Sequence, residues 1–476
     1  CKKQIFMSST LIVIVIIIYF LVLVGISFIT GKSDSNASFF SGDKQSPWYI
    51  VAFGMVGASL SGVTFISVPG WVAASEFSYM QMVFGYLLGY FVIATVLMPL
   101  YYRMNLTSIY GYLQSRFGNS SYKTGAIFFL ISRVIGASFR LYLVANVLQI
   151  AIFDSWGVPF EITVVVTILL IWVYTFRSGI KTIIWTDTLQ TLFMLVAVGL
   201  SIYFISVDMN LNFKSLISTV KESDYSQIFF WEGKQHFLRQ FLSGAFMAIV
   251  MTGLDQDMMQ KNLSCKSLAD AQKNMFWFSI VLVIVNLLFL SLGALLYMYA
   301  ETHVLSFNKA DDLFPAVALN GGLGIGVGVL FILGLIAAAY SSADSALTSL
   351  TTSFCIDLLG FDINSGLKEI KQRKLVHFGF SILLVLVILV FKSINDESVI
   401  SALFKVAGYT YGPLLGMYAF GLFTNLNIKD NWVPLVAILS PLICYVIQLY
   451  IPFGFELLIL NGGITFVGLY LLRESK

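Results

Sequence analysis

The chain has 476 residues, of which 58% are hydrophobic and only 11% are charged, and its formal net charge at pH 7 is +3. Because a typical soluble protein has about 25% charged residues, so few charges cannot cover a surface exposed to water. The composition therefore excludes a soluble enzyme, a nucleic-acid-binding protein and a disordered chain. We expect a membrane protein whose outer surface contacts lipid.

The hydropathy pattern predicts an all-α polytopic membrane protein with a single integral membrane domain over residues 1–476. A helix needs about 20 mostly apolar residues to cross a bilayer. The sequence has thirteen such runs, near 9–29, 47–73, 78–102, 124–151, 160–176, 184–207, 238–256, 276–300, 322–354, 376–392, 397–424, 432–451 and 454–472. The connection 208–237 mixes charged and aromatic residues and predicts a short surface helix.

The charges of the loops predict the orientation of the chain. Lysine and arginine are retained on the cytoplasmic side of a membrane. If the N-terminus lies outside, the inner loops contain many more of these residues than the outer loops. We therefore expect the N-terminus outside and the C-terminus in the cytoplasm.

Small and hydroxyl-bearing residues interrupt the second run. Its centre reads Gly-Met-Val-Gly-Ala-Ser-Leu-Ser-Gly-Val-Thr-Phe over residues 54–65. This composition is typical of a discontinuous helix, in which freed backbone carbonyls can coordinate a cation. It is equally typical of a Gly-x-x-x-Gly interface between closely packed helices. The residues alone leave both interpretations open.

The ninth run carries a polar face. Ser341, Asp344, Ser345 and Thr348 follow one another at intervals of three and four residues, so they share one side of a helix. Their oxygens suit a weakly bound monovalent cation. Serines can also bond back to their own helix, but a carboxylate within the membrane indicates a functional site. Asp187, near the inner end of the sixth run, could simply be solvated at the interface.

Three basic residues lie within predicted spans. Arg133 and Arg140 are seven residues apart in the fourth run and so share a helical face. Lys405 lies about two turns before Gly412-Pro413, which predicts a kink in the eleventh run. A lysine side chain can extend to the membrane edge, but we expect Lys405 to lie too deep for this.

Four short motifs follow one another along nearly the whole chain. They are Gly-Val-Thr-Phe-Ile-Ser-Val-Pro at 62–69, Ser-Gly-Ile-Lys-Thr-Ile-Ile-Trp-Thr-Asp-Thr-Leu-Gln at 178–190, Asp-Gln-Asp-Met-Met-Gln-Lys at 255–261, and an Ala-rich Ser-Ser segment followed by Gly412-Pro413. In this order they resemble the sodium:solute symporter family, which includes sodium/glucose, sodium/proline and bacterial sialic acid symporters.

The resemblance implies the leucine-transporter fold. Two inverted five-helix repeats would occupy 47–207 and 238–424, after a leading helix and loop at 1–46 and before two C-terminal helices at 432–472. It also implies a symporter that imports a small organic solute by alternating access. Sodium would be the coupling ion, with no other cofactor, and the implied location is a cell membrane, most simply a bacterial inner membrane.

The sodium site implied by the resemblance lies between the second and ninth spans. Its ligands would be the backbone carbonyls of Gly57, Leu60 and Ala338 and the hydroxyls of Ser341 and Ser342.

Some members of the family hold a second sodium nearer the cytoplasm. Here Asp187, Ser341 and Ser345 match that site, but Asp344 stands where the sialic acid symporter has a serine. A carboxylate at this position could tighten sodium binding or could carry a proton.

The substrate positions diverge more from the family. Sugar-binding members have a glutamate where Val83 aligns and a glutamine where Lys405 falls, so two sugar-binding groups are missing. Arg133 aligns with the arginine that binds the carboxylate of sialic acid, and Arg140 competes for that role. The other substrate-facing matches are Ser59, Ser61, Thr64 and Tyr79. We expect a carboxylate-bearing solute of the sialic acid, monocarboxylate or amino acid type, held by Lys405 together with Arg133 or Arg140.

The alternatives are a proton-coupled transporter acting through Asp344 and a sodium-coupled transporter of a neutral solute such as a sugar or polyol. A membrane-embedded enzyme is disfavoured, because the sequence has no His-Glu-x-x-His, Cys/His cluster or Gly-x-Ser-x-Gly motif. The expected partners are the solute and membrane lipid, without nucleic acid. We expect a monomer, although an oligomer stays open.

Overall fold

The computed structural model describes residues 9–30, 35–176, 179–362, 366–394, 399–451 and 453–474. Outside them lie Ser178, which begins the second motif, and residues 397 and 398 of the eleventh predicted run. The described chain is built from helices, with two isolated backbone bridges, Ser46–Cys265 and Ile428–Arg473, joining loop segments.

Twenty α-helices are described, several of them continued by a turn of π-helix. In chain order they are α1 (Ser9–Thr30), α2 (Asn36–Ser41), α3 (Trp48–Ser75), α4 (Tyr79–Val92), α5 (Met98–Arg103), α6 (Gly111–Arg116), α7 (Asn119–Leu148), α8 (Phe160–Thr175), α9 (Ile180–Asp208), α10 (Phe213–Glu222), α11 (Phe237–Ala248), α12 (Gln256–Leu263), α13 (Leu268–Thr302), α14 (Leu313–Pro315), α15 (Ile325–Ser353), α16 (Leu367–Ile394), α17 (Val399–Thr410), α18 (Gly412–Phe423), α19 (Val433–Tyr450) and α20 (Leu457–Leu471). The π-helical turns are Ile93–Leu97, Gln149–Phe153, Ile249–Gly253, Ala316–Asn320 and Phe354–Leu358.

The thirteen predicted runs correspond to these helices. Within the described residues, nine helical segments are long and apolar enough to cross a membrane, and the bent pair α11–α12 makes a tenth. The other three runs fall on shorter helices, namely α8, the pair α17–α18, and α20. The all-α polytopic prediction is therefore confirmed, and α10 is the predicted surface helix. The orientation, the repeat boundaries and the monomeric state stay predictions.

Glycines allow several spans to approach backbone to backbone. A Cβ added to Gly85 would lie 2.0 Å from the carbonyl oxygen of Phe241, and one added to Gly244 would lie 2.1 Å from that of Met82. Helices α4 and α11 therefore pack without intervening side chains. Such close van der Waals contacts hold membrane helices together, because apolar side chains gain no hydrophobic free energy when they move from lipid into the protein.

Three spans are broken near the centre of the bundle. In α3, Ser61 has φ 34° and ψ 171° and interrupts the helix. Helices α11 and α12 meet at an angle of 64°, where the Asp255 carboxylate caps α12 by accepting a bond from the backbone N–H of Asp257 at 2.9 Å. Helix α17 ends at Thr410, and a single residue, Tyr411, separates it from α18. The first and third breaks agree with the sequence analysis, whereas the second was not predicted.

The breaks leave backbone carbonyls without helical partners, and side chains from other helices replace those partners. At the kink between α17 and α18, the Asn461 carboxamide of α20 donates to the carbonyl oxygens of Gly408 at 3.0 Å and Tyr409 at 2.9 Å. Non-helical backbone at membrane depth is stable only where it is satisfied in this way or lines a cavity. The broken backbone of α3 lines a cavity.

Candidate functional site

A cavity of about 750 Å³, part of it open to solvent, lies beside the break in α3. Its walls come from α3, α4, α7, α11, α12, α13 and α17 and from the π-helical turn that follows α11. The predicted substrate residues that line it are Ser59, Ser61, Thr64, Tyr79, Arg133 and Arg140. Six positions scattered over three spans are therefore brought to one place.

The cavity also contains residues that the sequence analysis missed. These are Tyr86, Tyr90, Thr252 and Asn286. Tyr86 and Tyr90 follow Tyr79 at intervals of seven and eleven residues, so helical spacing alone would have placed them on the same face. Tyr86 and Tyr79 are joined through their hydroxyls at 3.0 Å. Asn286 is a lone amide in an otherwise apolar run, which was a usable signal.

Lys405 is not brought into the cavity. Leu403 and Phe404 line the cavity, whereas the side chain of Lys405 is exposed and is not among the lining residues. The reason is helical geometry, since each residue is turned by about 100° from the one before it. The expectation that a deep Lys405 faces the substrate is corrected by this placement.

The two arginines have different surroundings. Arg133 forms a buried ion pair with Asp257 and lies 3.9 Å from a carboxylate oxygen of Asp255. Its charge is therefore compensated within the protein. Arg140 is also buried, with 8% of its surface exposed, but among the described residues it has no ion pair, and its Nε has no hydrogen-bond partner. Of the two arginines, Arg140 is therefore the one whose positive charge is available to bind a solute.

The predicted sodium ligands lie on two helices in contact, α3 and α15. Because Ser61 is not helical, carbonyls in the preceding turn, which includes Gly57 and Leu60, can turn toward other partners. On α15, the hydroxyls of Ser342, Ser345 and Thr348 are buried without a hydrogen-bond partner in the described part of the chain. Such orphaned polar atoms are rare in native proteins and suit a bound cation.

Of the other two predicted sodium ligands on α15, Ala338 and Ser341, the second already has a hydrogen-bond partner. Ala338 is buried in α15, one turn before Ser342. The hydroxyl of Ser341 donates to Asp187 at 2.6 Å. Asp187 itself is fully buried, so the interpretation that it is solvated at the interface is wrong.

A buried lysine completes this polar cluster and was missed by the sequence analysis. The Nζ of Lys261 lies 2.7 Å from the second carboxylate oxygen of Asp187, and both side chains are at most 1% exposed. Asp344 lies in the same helix as Ser341, and it accepts hydrogen bonds from the Tyr174 hydroxyl at 2.9 Å and from the backbone N–H of Ser345 at 2.5 Å.

The protein is densely packed below this cluster, on the side predicted to be cytoplasmic. Helix α2 buries Phe39 and Phe40 there. The carboxamide of Gln260 donates to the carbonyl oxygen of Phe40 at 2.7 Å and to the Thr352 hydroxyl at 3.0 Å. The cavity, in contrast, extends to Tyr79 at the opposite end of the bundle, where α4 begins.

Broken helices around a central cavity, with an oxygen-rich helix beside the break, define a polytopic membrane transporter. The family model described as sodium:solute symporter family matches residues 39–427, and the chain belongs to this family. The family predicted from the motifs is therefore confirmed.

Individual relatives are distant but cover most of the chain. It is 24% identical over 416 residues to the sodium/sialic acid symporter of Aliivibrio fischeri, which covers 83% of this chain and 79% of the relative. It is 24% identical over 412 residues to the mouse sodium-coupled monocarboxylate transporter 1, which covers 83% of this chain and 66% of the relative.

A solved structure of a sodium-coupled sialic acid symporter, substrate-bound and outward-open, matches the fold. The TM-score is 0.81 at 19% identity, and the match covers 98% of this chain and 99% of the other. The predicted leucine-transporter fold is confirmed by this likeness.

Proposed function

We propose that the protein is a sodium-coupled symporter that imports a small carboxylate-bearing solute by alternating access. The observation that carries this proposal is the Arg140 guanidinium, which faces the cavity without an ion pair among the described residues. A buried charge is costly unless it is compensated, and a guanidinium binds a carboxylate through two parallel hydrogen bonds. Relatives named for sialic acid and for monocarboxylates support an anionic solute.

The hydroxyls of the cavity favour a second candidate, a neutral sugar or polyol. Tyr79, Tyr86 and Tyr90 form a row along α4, and Ser59 and Thr64 face them from α3. These groups can bind the hydroxyls of any polar solute, charged or neutral. Arg140 is the feature that favours the anion, so the two candidates differ in what happens when its charge is removed.

Sodium would act through the broken helix α3. Gly57 and Leu60, the carbonyl ligands proposed for sodium, flank Ser59, and Ser61 follows, so ion ligands and substrate ligands alternate along five residues. Sodium held against Ser342 of α15 would fix the course of this segment and thereby position the cavity-facing hydroxyls. Two ligands that stabilise the same conformation bind cooperatively, which is the requirement for coupled transport.

The test of the solute class compares Arg140→Gln with Arg140→Lys in proteoliposomes, with sialic acid, lactate and glucose as probes. Hydrogen bonds to a charged group contribute about 1.5–3 kcal/mol, so Arg140→Gln should weaken binding of an acidic solute roughly 10–100-fold. The affinity of Arg140→Lys for the acidic solute should lie between those of the wild type and Arg140→Gln, because lysine keeps the charge but loses the bidentate geometry.

The matched control is Lys405→Gln, which removes an equal charge from a position outside the cavity lining and should leave affinity for the solute unchanged. The amide of the transported acid should bind weakly to the wild type and no more weakly to Arg140→Gln. Uptake of glucose in preference to both acids, with equal rates in wild type and Arg140→Gln, would contradict the anionic assignment.

The coupling ion is tested separately. Replacing external sodium by choline should abolish concentrative uptake, and an inward sodium gradient should restore it. Uptake that persists in choline and follows an imposed proton gradient would instead support the proton-coupled alternative through Asp344.

A further inference from the structure

Four charged side chains lie in or behind the cavity wall, two of each sign. Arg133 and Arg140 line the cavity, whereas Asp255 and Asp257 are buried and are not among the lining residues. A wall that contains two arginines would suit a solute with two carboxylates, one on each guanidinium. The partners that the protein itself gives to each arginine therefore decide how many carboxylates a bound solute can have.

Asp255 is bound mainly at the bend between α11 and α12. Its Oδ1 accepts hydrogen bonds from the backbone N–H groups of Asp257 at 2.9 Å and Met258 at 3.4 Å, and its Oδ2 accepts one from the Tyr411 hydroxyl. The N-terminus of α12 also stabilises its negative charge. At 3.9 Å, its contact with Arg133 is too long for a hydrogen bond. Asp255 therefore has its own partners and leaves the pairing of Arg133 to another carboxylate.

Asp257 compensates the charge of Arg133. Its Oδ2 forms a hydrogen-bonded ion pair with the guanidinium, and only 1% of its side chain is exposed. Separating a buried pair is strongly unfavourable, because it leaves a charge without a partner. The other oxygen, Oδ1, has no hydrogen-bond partner within the described residues, so negative charge remains next to Arg133. A second carboxylate of a solute would meet this negative charge instead of a free cation.

We propose that Asp257 restricts the transporter to solutes that have a single carboxylate. The inference rests on the proposed carboxylate-binding function and narrows its substrate class. Arg140, which has no ion pair among the described residues, binds the one carboxylate. Asp257 does not touch the solute and acts through Arg133, which it keeps from binding a second carboxylate.

The exclusion of a second carboxylate is electrostatic, because the structure leaves room for one. A smaller cavity of about 310 Å³ lies between α7 and α17, and both arginines line it. Space is therefore present beside Arg133, and what the site lacks is a second positive charge without a partner. A carboxylate buried without a compensating charge is strongly disfavoured.

The experiment compares succinate with succinamate, which has the same length and carries an amide in place of one carboxylate. Each is added to the purified protein in detergent with sodium at about pH 7.5, where every carboxylate of the two probes is ionised. The shift in unfolding temperature is recorded as a function of concentration. The wild type should bind succinate at least roughly 10-fold more weakly than succinamate.

Asp257→Asn removes the charge that holds Arg133 and should reverse this preference. The freed guanidinium can then bind the second carboxylate, so the affinity for succinate should rise roughly 10–100-fold. Because this variant should be less stable than the wild type, succinate should also restore its unfolding temperature more than succinamate does. A purely structural role for Asp257 would lower the unfolding temperature without changing the ratio between the two acids.

Three variants serve as matched controls. Asp257→Glu keeps the negative charge and should keep the preference for succinamate. Combining Asp257→Asn with Arg133→Gln removes both charges of the pair, so no buried charge is left unpaired and the preference for succinamate should remain. Asp43→Asn breaks a 2.8 Å pair with Lys181 at a partly exposed position and should leave the ratio of the two affinities unchanged.

A wild type that binds succinate as tightly as succinamate overturns the inference. So does an equal ratio of the two affinities in wild type and Asp257→Asn, including the case in which neither acid binds either protein. If Asp257→Asn can be purified only with a ligand present, succinate should rescue it and succinamate should not, and rescue by neither acid counts against the inference. These results leave the proposed function intact where uptake of lactate or sialic acid depends on Arg140. Transport of glucose in place of both acids would overturn the proposed function and this inference together.

Discussion

Gly57→Ala tests the role of the α3–α9 contact in shaping the sodium site. A Cβ at this position would lie 2.1 Å from Oγ1, 3.1 Å from Cβ and 3.3 Å from Cα of Thr191. The hydroxyl is not free to move away, because it donates to the carbonyl oxygen of Asp187 at 2.7 Å. Displacing it sacrifices a hydrogen bond of about 1 kcal/mol, and overpacking a tight interface costs a further 1–3 kcal/mol or so.

The added methyl group must therefore push α3 away from α9. The carbonyl oxygens of Gly57 and Leu60 lie on the displaced segment, so the proposed sodium ligands move with it. If about 1.4 kcal/mol of the strain is expressed at the ion site, the sodium concentration for half-maximal uptake rises roughly tenfold. We expect this increase together with a lower unfolding temperature in detergent.

The control is Gly136→Ala in α7, where an added Cβ would meet nothing within 4 Å. It should not lower the unfolding temperature, because alanine is a better helix former than glycine, and it should leave the sodium dependence unchanged. Thr191→Ala removes the nearest contact and should partly restore sodium affinity in the Gly57→Ala background. The reasoning is refuted if Gly57→Ala and Gly136→Ala have the same sodium dependence, or if Thr191→Ala gives no rescue.

Three further predictions concern the polar clusters. Ser342→Ala removes a buried hydroxyl without a partner in the described structure and should raise the sodium requirement severalfold; an unchanged sodium titration would exclude it as a ligand. Asp344→Asn should weaken sodium binding, and wild-type uptake at saturating sodium should be flat from about pH 5.5 to 8.5, whereas a steep pH profile would identify Asp344 as a proton carrier. Asp257→Asn leaves the Arg133 charge partly uncompensated and should destabilise the protein by about 3–5 kcal/mol, seen as a large loss of thermal stability; a thermal stability equal to that of the wild type would show that Asp255 alone suffices for Arg133.

The membrane spans and the broken helix were predictable because their signals are local. An apolar run of about 20 residues has few structures open to it in a bilayer, and the glycines and serines around Ser61 indicate an interruption directly. The two interpretations of the second run are both realised, since α3 breaks at Ser61 while Gly57 packs against α9. The break before Asp255 was missed because the apolar run continues almost to it, although a capping aspartate shortly after a glycine, as in Thr-Gly-Leu-Asp at 252–255, is a recognisable helix start.

The charge pairs could not be predicted from local patterns. Asp187 lies near the end of its span, where most carboxylates meet water, yet it is buried between Ser341 of α15 and Lys261 of α12. Which of Arg133 and Arg140 is compensated depends on the bend between α11 and α12, which brings Asp257 under one of them. The side of α17 on which Lys405 lies likewise depends on where its neighbouring helices stand, and one sequence does not specify this.

The glycine contact between α4 and α11 has a mechanical consequence. Side chains that interdigitate can change rotamer and let two helices slide, but at Gly85 and Gly244 the contact is between the main chains themselves. We therefore expect α4 and α11 to move together as one rigid unit. The tyrosine row on α4 and Thr252 beyond α11 line the same cavity. If transport rearranges the helices, we expect this part of the wall to move as a unit, so that a bound solute keeps these contacts while its contacts with the other walls change.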